Sequence, residues 1–340
     1  MDGNALRVEY LGLNRLFPGR PAAMPAPSFV DLQSPAGSFL DDVLRGLGSS
    51  PKAISPKYFY DARGSELFEA ICELPEYYPT RTELALTRDC AADIAAAVGA
   101  GCLLIELGSG ASLKTGLLLQ ALRPAAYVPV DIAADALKTA ATRIVADYPA
   151  LPVIAVCGDY MRPLMVPALD GIAARRLIYF PGSTIGNLTP AEALEFLRRA
   201  RDLAGSGGAM LVGVDLKKDP RQLHDAYNDA QGITAEFNLN LLRRINRELG
   251  ADFDPGRFRH VAFYDADAGR IEMHLESLVA QTVSVGGRRF GFAAGERLHT
   301  ENSCKYSVAE FQQLAQSAGF AAEKVWVDAE ALFSLHLLRN

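Results

Sequence analysis

Leu103-Leu104-Ile105-Glu106-Leu107-Gly108-Ser109-Gly110 decides how this chain is read. The first five residues are an apolar run with a single charge, the pattern of a strand buried on both faces. Gly108-Ser109-Gly110 closes the run with residues suited to a tight turn. Downstream the same grammar repeats. A helix from about Lys114 to Leu122 leads to a second strand, Tyr127-Val128-Pro129-Val130, which ends at Asp131. A helical run from Ala134 to Val145 leads to a third strand, Val153-Ile154-Ala155-Val156, and Leu177-Ile178-Tyr179-Phe180 is a fourth. Thr189-Pro190-Ala191-Glu192 is a capping box with proline at the first helical position. The helix it opens keeps apolar residues at 193, 196, 197, 200, 203 and 204, the helical period. Ala209 to Val214 is a fifth strand, ending at Asp215. Strict strand–helix alternation predicts an α/β domain with a parallel sheet covered on both faces.

Outward from this block the pattern changes. Residues 18–37 hold Pro18, Pro21, Pro25, Pro27 and Pro35, which predicts an irregular arm. Helical patterning runs from near Phe39 to Val98. After Lys217-Lys218-Asp219-Pro220 the chain reads as helical and polar to about Gly250, then as a strand meander from Arg259 to Val285. A second capping box at Ser307-Val308-Ala309-Glu310 restarts the α/β pattern. Two strands follow, near Lys324–Val327 and Ser334–Leu338. The expected organisation is a main domain of residues 82–217 plus 306–340, and a smaller discontinuous domain of residues 1–81 plus 218–305. Ligand pockets favour such junctions.

Composition bounds the function classes. The 340 residues are 49% hydrophobic and 22% charged, with formal net charge −6 and no long basic run, which speaks against nucleic acid as a partner. Five cysteines, odd in number and without ligand spacing, fit free thiols in a reducing compartment and no metal centre. The first 20 residues lack a continuous apolar core, and no run of about 18 apolar residues occurs. The expectation is a cytoplasmic protein that neither enters nor spans a membrane, and a monomer.

The carboxyl ends of parallel strands are where an open α/β sheet binds ligands, and three signals fall there. The Glu106–Gly110 loop follows the first strand, and its glycines let a ligand approach the backbone. Asp131 ends the second strand at the spacing of a carboxylate that accepts from a ribose diol. Asp159 and Tyr160 end the third, suited to an adenine amino group and to stacking. Each alone is more often a tight turn or a helix cap; three in order point to a nucleoside site. Leu113 stands where a full G-x-G-x-x-G would need glycine. That favours a cofactor without phosphate, such as S-adenosylmethionine, over a nicotinamide dinucleotide. Lys114 fits a solvated helix lysine and a partner of the cofactor's carboxylate equally.

Several longer motifs then converge. Tyr58-Phe59-Tyr60-Asp61-Ala62-Arg63-Gly64-Ser65, Leu74-Pro75-Glu76-Tyr77-Tyr78-Pro79-Thr80-Arg81-Thr82-Glu83 and Gly182-Ser183-Thr184-Ile185-Gly186-Asn187-Leu188-Thr189-Pro190 precede the end of the α/β block. Ala226-Tyr227-Asn228-Asp229-Ala230, Arg270-Ile271-Glu272-Met273 and Thr300-Glu301-Asn302-Ser303-Cys304-Lys305 lie in the insert. Together they resemble the histidine-specific methyltransferases of ergothioneine biosynthesis, from about residue 50 onward. The resemblance implies a Rossmann-like class I methyltransferase sheet with a second, smaller substrate-binding domain. It implies trimethylation of the α-amino group of L-histidine to hercynine, with S-adenosylmethionine as co-substrate and no metal. By motif, Gly108, Lys114, Asp131, Asp159 and Tyr160 would hold the cofactor. Tyr77, Asn187, Tyr227, Glu301, Asn302 and Ser303 would hold histidine, Met273 would line the imidazole pocket, and Tyr60 and Phe68 would border the amine. Asn187, Tyr60 and Tyr227 are the expected catalytic residues.

The residue types suit that chemistry. An Asn187 amide oxygen can accept from the amine and aim its lone pair. Tyr77 and Tyr227 hydroxyls can donate to the carboxylate, and Glu301 and Ser303 can serve the two imidazole nitrogens. The Tyr60 ring can face the growing cation. Three alternatives remain open at this stage: an N-methyltransferase for another amino acid such as tryptophan, a nicotinamide-dependent oxidoreductase, and a non-catalytic S-adenosylmethionine sensor.

Overall fold

Apolar runs that could satisfy their backbone only by pairing become strands of one large sheet. The computed structural model describes residues 26–32, 37–110, 114–162, 164, 166 and 175–340. The expected arm up to residue 25, its residues 33–36 and the Leu113 position fall outside the described residues.

The first half runs β1 (Ser28–Asp31), α1 (Gly37–Gly48), α2 (Ala62–Cys72), α3 (Tyr78–Val98), β2 (Leu103–Leu107), α4 (Thr115–Leu122), β3 (Ala126–Asp131), α5 (Ala134–Asp147) and β4 (Ile154–Cys157). It continues through β5 (Arg176–Phe180), α6 (Pro190–Ala204) and β6 (Ala209–Asp215). The insert holds α7 (Pro220–Asp225), α8 (Ile233–Leu249), β7 (Phe258–Asp265), β8 (Arg270–Ser277), β9 (Gln281–Val285), β10 (Arg288–Phe292) and β11 (Arg297–Cys304). The chain ends with α9 (Val308–Ser317), β12 (Ala321–Val327) and β13 (Phe333–Arg339). Both capping boxes form: Thr189 with Glu192 opens α6, and Ser307 with Glu310 opens α9.

The main sheet has the order β1-β4-β3-β2-β5-β6-β13-β12. Strands β1 to β6 are parallel to their neighbours, whereas β13 inserts antiparallel between β6 and β12. The sheet is therefore mixed where alternation predicted a parallel one. The topology reverses between β2 and β5, which opens a crevice at their carboxyl ends. Alternate residues serve opposite faces. Leu103, Ile105 and Leu107 pack with Phe196 and Leu197 of α6, and Leu104 packs with Ile94 of α3 and Leu118 of α4. Burying each such aliphatic side chain contributes about 1.5–3 kcal/mol.

A separate hydrophobic cluster joins Val43, Phe59, Ile71 and Tyr78 to Leu223, Phe237, Leu241, Met273 and Leu298. Two segments far apart in sequence thus share one core under the three-stranded antiparallel sheet β11-β8-β7 and the hairpin β9–β10. The expected irregular arm needs correction at its end. Ser28–Asp31 pairs with β4 at the edge of the main sheet, so these residues belong there and not with the smaller lobe. An edge strand tolerates the Pro27 just before it, because no ladder donor is missed. Among the described residues no helix is long and apolar enough to cross a membrane.

Candidate active site

At the end of β2 the chain turns through Gly108 (φ +70°) and Gly110 (φ +47°), conformations that favour glycine. Gly108 N–H donates to Val130 O at 2.8 Å, which ties this loop to the end of β3. Asp131 sits between two backbone donors: Gly110 N–H reaches Oδ2 at 2.8 Å and Ala133 N–H reaches Oδ1 at 2.9 Å. Burial raises its carboxyl above the ordinary value, and these amides act against that rise. Each oxygen keeps a lone pair for a further donor, such as a ribose hydroxyl. Among the described residues, a Cβ on Gly110 would meet nothing within 4 Å. The Tyr160 ring lies 3.5 Å from where a Gly108 Cβ would stand, braced edge-on by Phe180 (5.5 Å) and Phe196 (6.0 Å). Glycine loop, fixed carboxylate and braced ring fit a nucleoside without a pyrophosphate.

Two other expected cofactor residues are already engaged. Asp159 accepts from Met161 N–H at 2.9 Å, and its other oxygen pairs with Lys57 at 3.5 Å. Lys114 is held by the buried carboxylate of Glu83, which also accepts from Gly182 N–H at 2.9 and 3.0 Å. It is neither a solvated helix lysine nor a free cation. Glu83 fits only because residue 213 is glycine; a Cβ there would come within 2.3 Å of Oε1.

The substrate-side residues converge by backbone contact. Ser183 adopts a left-handed conformation (φ +54°) and starts a short 3-10 turn, Thr184–Asn187. The turn lies flush on β11, since a Cβ on Gly186 would sit 2.7 Å from Cys304 O. This sets Asn187 beside Glu301, where its amide helps to hold the carboxyl down. An ionised carboxylate only accepts, so the Asn187 amide nitrogen faces Glu301 and its oxygen is left for another donor. Burial pushes the Glu301 carboxyl up to about 7, while Lys305 and Asn187 pull the other way. Met273 stands directly across from Glu301 on β8.

An aromatic chain forms the remaining wall. Tyr60 meets Phe68 edge-on at 5.6 Å, Phe68 meets Tyr77 at 6.3 Å, and Tyr77 meets Tyr227 at 6.3 Å. Burial raises the Tyr60 hydroxyl well above its ordinary value, and Glu301, Tyr160 and Asp131 raise it further. The carboxylates of Glu301 and Asp131 therefore act on one phenol.

Asn302 lies apart from its two neighbours. Side chains alternate along a strand, so Glu301 and Ser303 share one face of β11 and Asn302 points to the other. A bulge between His299 and Glu301 places Asn302 beside His299, its Oδ1 3.0 Å from Nε2.

The sequence reading gave no role to a buried charged group beneath Tyr227. Asp215, at the end of β6, contacts Lys305 Nζ at 2.7 Å, Tyr78 Oη at 2.8 Å and Lys218 Nζ. Burial would raise its carboxyl, yet Lys305 and Lys218 outweigh it and hold it below the ordinary value. Burial lowers Lys218 to about 8 against the pull of Asp215. The signals were present: Asp215 ends a strand at the ligand edge, and Lys305 closes a motif.

The family of the chain is shown by comparison with known proteins. The model of a family described as histidine-specific methyltransferase, SAM-dependent, matches residues 39–340. A histidine N-alpha-methyltransferase of Mycolicibacterium smegmatis is 45% identical over 317 residues, covering 91% of this chain and 97% of the relative. One of Mycobacterium tuberculosis is 44% identical, covering 87% and 93%. Ergothioneine biosynthesis protein 1 of Neurospora crassa is 32% identical over 85% of this chain, which spans 33% of that longer protein.

Proposed function

This chain belongs to the SAM-dependent, histidine-specific methyltransferases, and on that premise we propose that it methylates the α-amino nitrogen of L-histidine three times, giving hercynine for ergothioneine biosynthesis. The observation that carries the reading is half-buried Asn187 set against the buried carboxylate of Glu301, beside a tyrosine on which Asp131 also acts. Family membership sets aside the nicotinamide-dependent alternative.

S-adenosylmethionine supplies an electrophilic methyl on a sulfonium. Gly108, Asp131 and Tyr160 are the residues that would hold its nucleoside. The protein's own task is alignment, and holding reacting groups in line can supply about 7–11 kcal/mol of the barrier. The Asn187 amide oxygen accepts from the uncharged amine and turns its lone pair outward. Tyr77 and Tyr227 donate to the carboxylate without trapping the amine as an ion pair. Glu301 accepts from one imidazole N–H, and Met273 packs beside the ring. The Tyr60 face stabilises the quaternary product by about 0.5–2 kcal/mol, which favours retention until the third transfer. We read residues 37–77 and 218–303 as the substrate-binding lobe.

Mass spectrometry of histidine after turnover with S-adenosylmethionine tests this. A gain of three methyl groups is expected. An unmodified histidine alongside a methylated tryptophan would overturn the choice of substrate.

A further inference from the structure

Lys305 closes a motif, yet the mechanism above gives its ammonium no task. Its side chain is 1% exposed. Its three N–H donors meet three acceptors: Asp215 Oδ2 at 2.7 Å, Ser303 Oγ at 2.8 Å and Tyr227 Oη at 3.2 Å. Asp215 does not depend on Lys305 alone for compensation, because Lys218 and the Tyr78 hydroxyl also reach it. Two of the three donors are thus directed at hydroxyls of the substrate wall.

An ammonium can only donate. A hydroxyl that accepts from it keeps its own proton for another partner. Tyr227 Oη and Ser303 Oγ lie 2.7 Å apart, so in the free protein one of their two protons is shared between them. The other points outward. When a ligand with acceptor atoms enters, both oxygens remain supplied by Lys305 and both protons can turn to the ligand.

We propose that Lys305 is a positioning residue that commits Tyr227 and Ser303 to act as hydrogen-bond donors toward the substrate. This rests on the reading of the cleft as a histidine site and specifies how that site reads its ligand. The Tyr227–Ser303 wall takes acceptors only, a carboxylate oxygen or an unprotonated ring nitrogen. Glu301, when ionised, takes donors only. Between them the walls fit a neutral imidazole, which has one N–H and one bare nitrogen. An indole has no ring acceptor and leaves a buried donor unpaired. An imidazolium turns a second N–H against a donor.

The test is calorimetric titration of histidine into the full chain with S-adenosylhomocysteine present. Four proteins are compared: unmodified, Lys305→Met, Tyr227→Phe with Ser303→Ala, and the triple variant. Lys305→Met is expected to weaken histidine about tenfold or more, with S-adenosylhomocysteine affinity unchanged. In the background lacking both hydroxyls the same replacement is expected to cost less than about twofold, since neighbours acting through shared partners are not additive. Lys305→Gln, which keeps N–H donors, is expected to bind histidine better than Lys305→Met, and it carries the same cycle should the methionine variant not fold. Equal losses in both backgrounds would mean that Lys305 serves Asp215 alone, and the inference fails. Unchanged histidine affinity in Lys305→Met, or no advantage of glutamine over methionine, overturns it as well. Failure of the unmodified protein to bind histidine is a separate result: it removes the histidine reading first, and this inference with it.

Discussion

Burial pushes the Glu301 carboxyl up to about 7, and its ionised form accepts from an imidazole N–H more strongly than the protonated acid, which keeps a weaker carbonyl acceptor and adds an O–H donor. Histidine affinity is therefore expected to rise as pH climbs through about 7 and to level off above it. Glu301→Gln should abolish the carboxylate's share of that rise and weaken histidine roughly 10- to 100-fold near pH 8, the range of a hydrogen bond to a charged group. Titration of both proteins at several pH values checks this, and S-adenosylhomocysteine binding should persist throughout. Glu106 gives the corresponding effect on stability. It lies buried behind the glycine loop, accepting from Thr115 Oγ1 at 2.7 Å and from the Tyr127 hydroxyl. Burial raises its carboxyl to about 7 against those hydrogen bonds. The unfolded chain releases this proton near the ordinary 4.5, so between about 4.5 and about 7 the folded state binds more protons. Stability must then fall as pH rises through that window, by about 3 kcal/mol in full. Glu106→Gln should narrow the difference between urea midpoints near pH 5 and near pH 8. Glu301 titrates in the same window, so some difference persists; an unchanged one would show that Glu106 is ionised throughout.

At the scale of elements, the contact between the Thr184–Asn187 turn and β11 fixes the site. Gly186→Ala would drive a methyl group to 2.7 Å from Cys304 O, and backbone cannot yield as a flexible side chain can. Overpacking of this kind costs about 1–3 kcal/mol. Here it should lift Asn187 from Glu301, lowering kcat/KM for histidine about tenfold or more while cofactor affinity holds. Steady-state kinetics and cofactor titration together would show it, and parallel losses in both would mean that the turn supports the whole crevice. The same elements explain what the sequence made legible. Strands such as β2 and β6 are buried on both faces and appear as apolar runs. β11 is different. Its buried residues include Thr300, Glu301 and Ser303, so the side chains that make it functional erase the alternation that would mark it as a strand. Alternation alone sets Asn302 on the face opposite Glu301 and Ser303, and the bulge after His299, which no sequence period announces, brings it beside His299. β1 was hidden for another reason: four residues at a sheet edge after a proline carry little pattern.

At the scale of the molecule, the smaller core meets the main sheet along the cleft, and polar links such as Tyr78 to Asp215 cross it. Lys57, next to Tyr58 in the smaller core, reaches Asp159 of the cofactor loop at 3.5 Å and Asp42 of its own lobe at 3.1 Å. Tyr60, packed against that same core, is acted on by both Asp131 and Glu301. A ligand in either half of the cleft is therefore expected to touch residues carried by both cores and to restrict their relative motion. The second ligand then meets walls already ordered, which is positive coupling through conformational entropy. S-adenosylhomocysteine is expected to tighten histidine binding by about fivefold or more. Thermodynamic linkage requires histidine to tighten S-adenosylhomocysteine by the same factor. Titrating each ligand with and without the other measures the factor twice. Lys57→Met, which cuts the link between Asp42 and Asp159, should reduce it while leaving the affinity for histidine alone little changed. A factor of one in the unmodified protein would mean that the two halves of the cleft are preformed and independent, with Asp131 and Glu301 joined by position but not by energy.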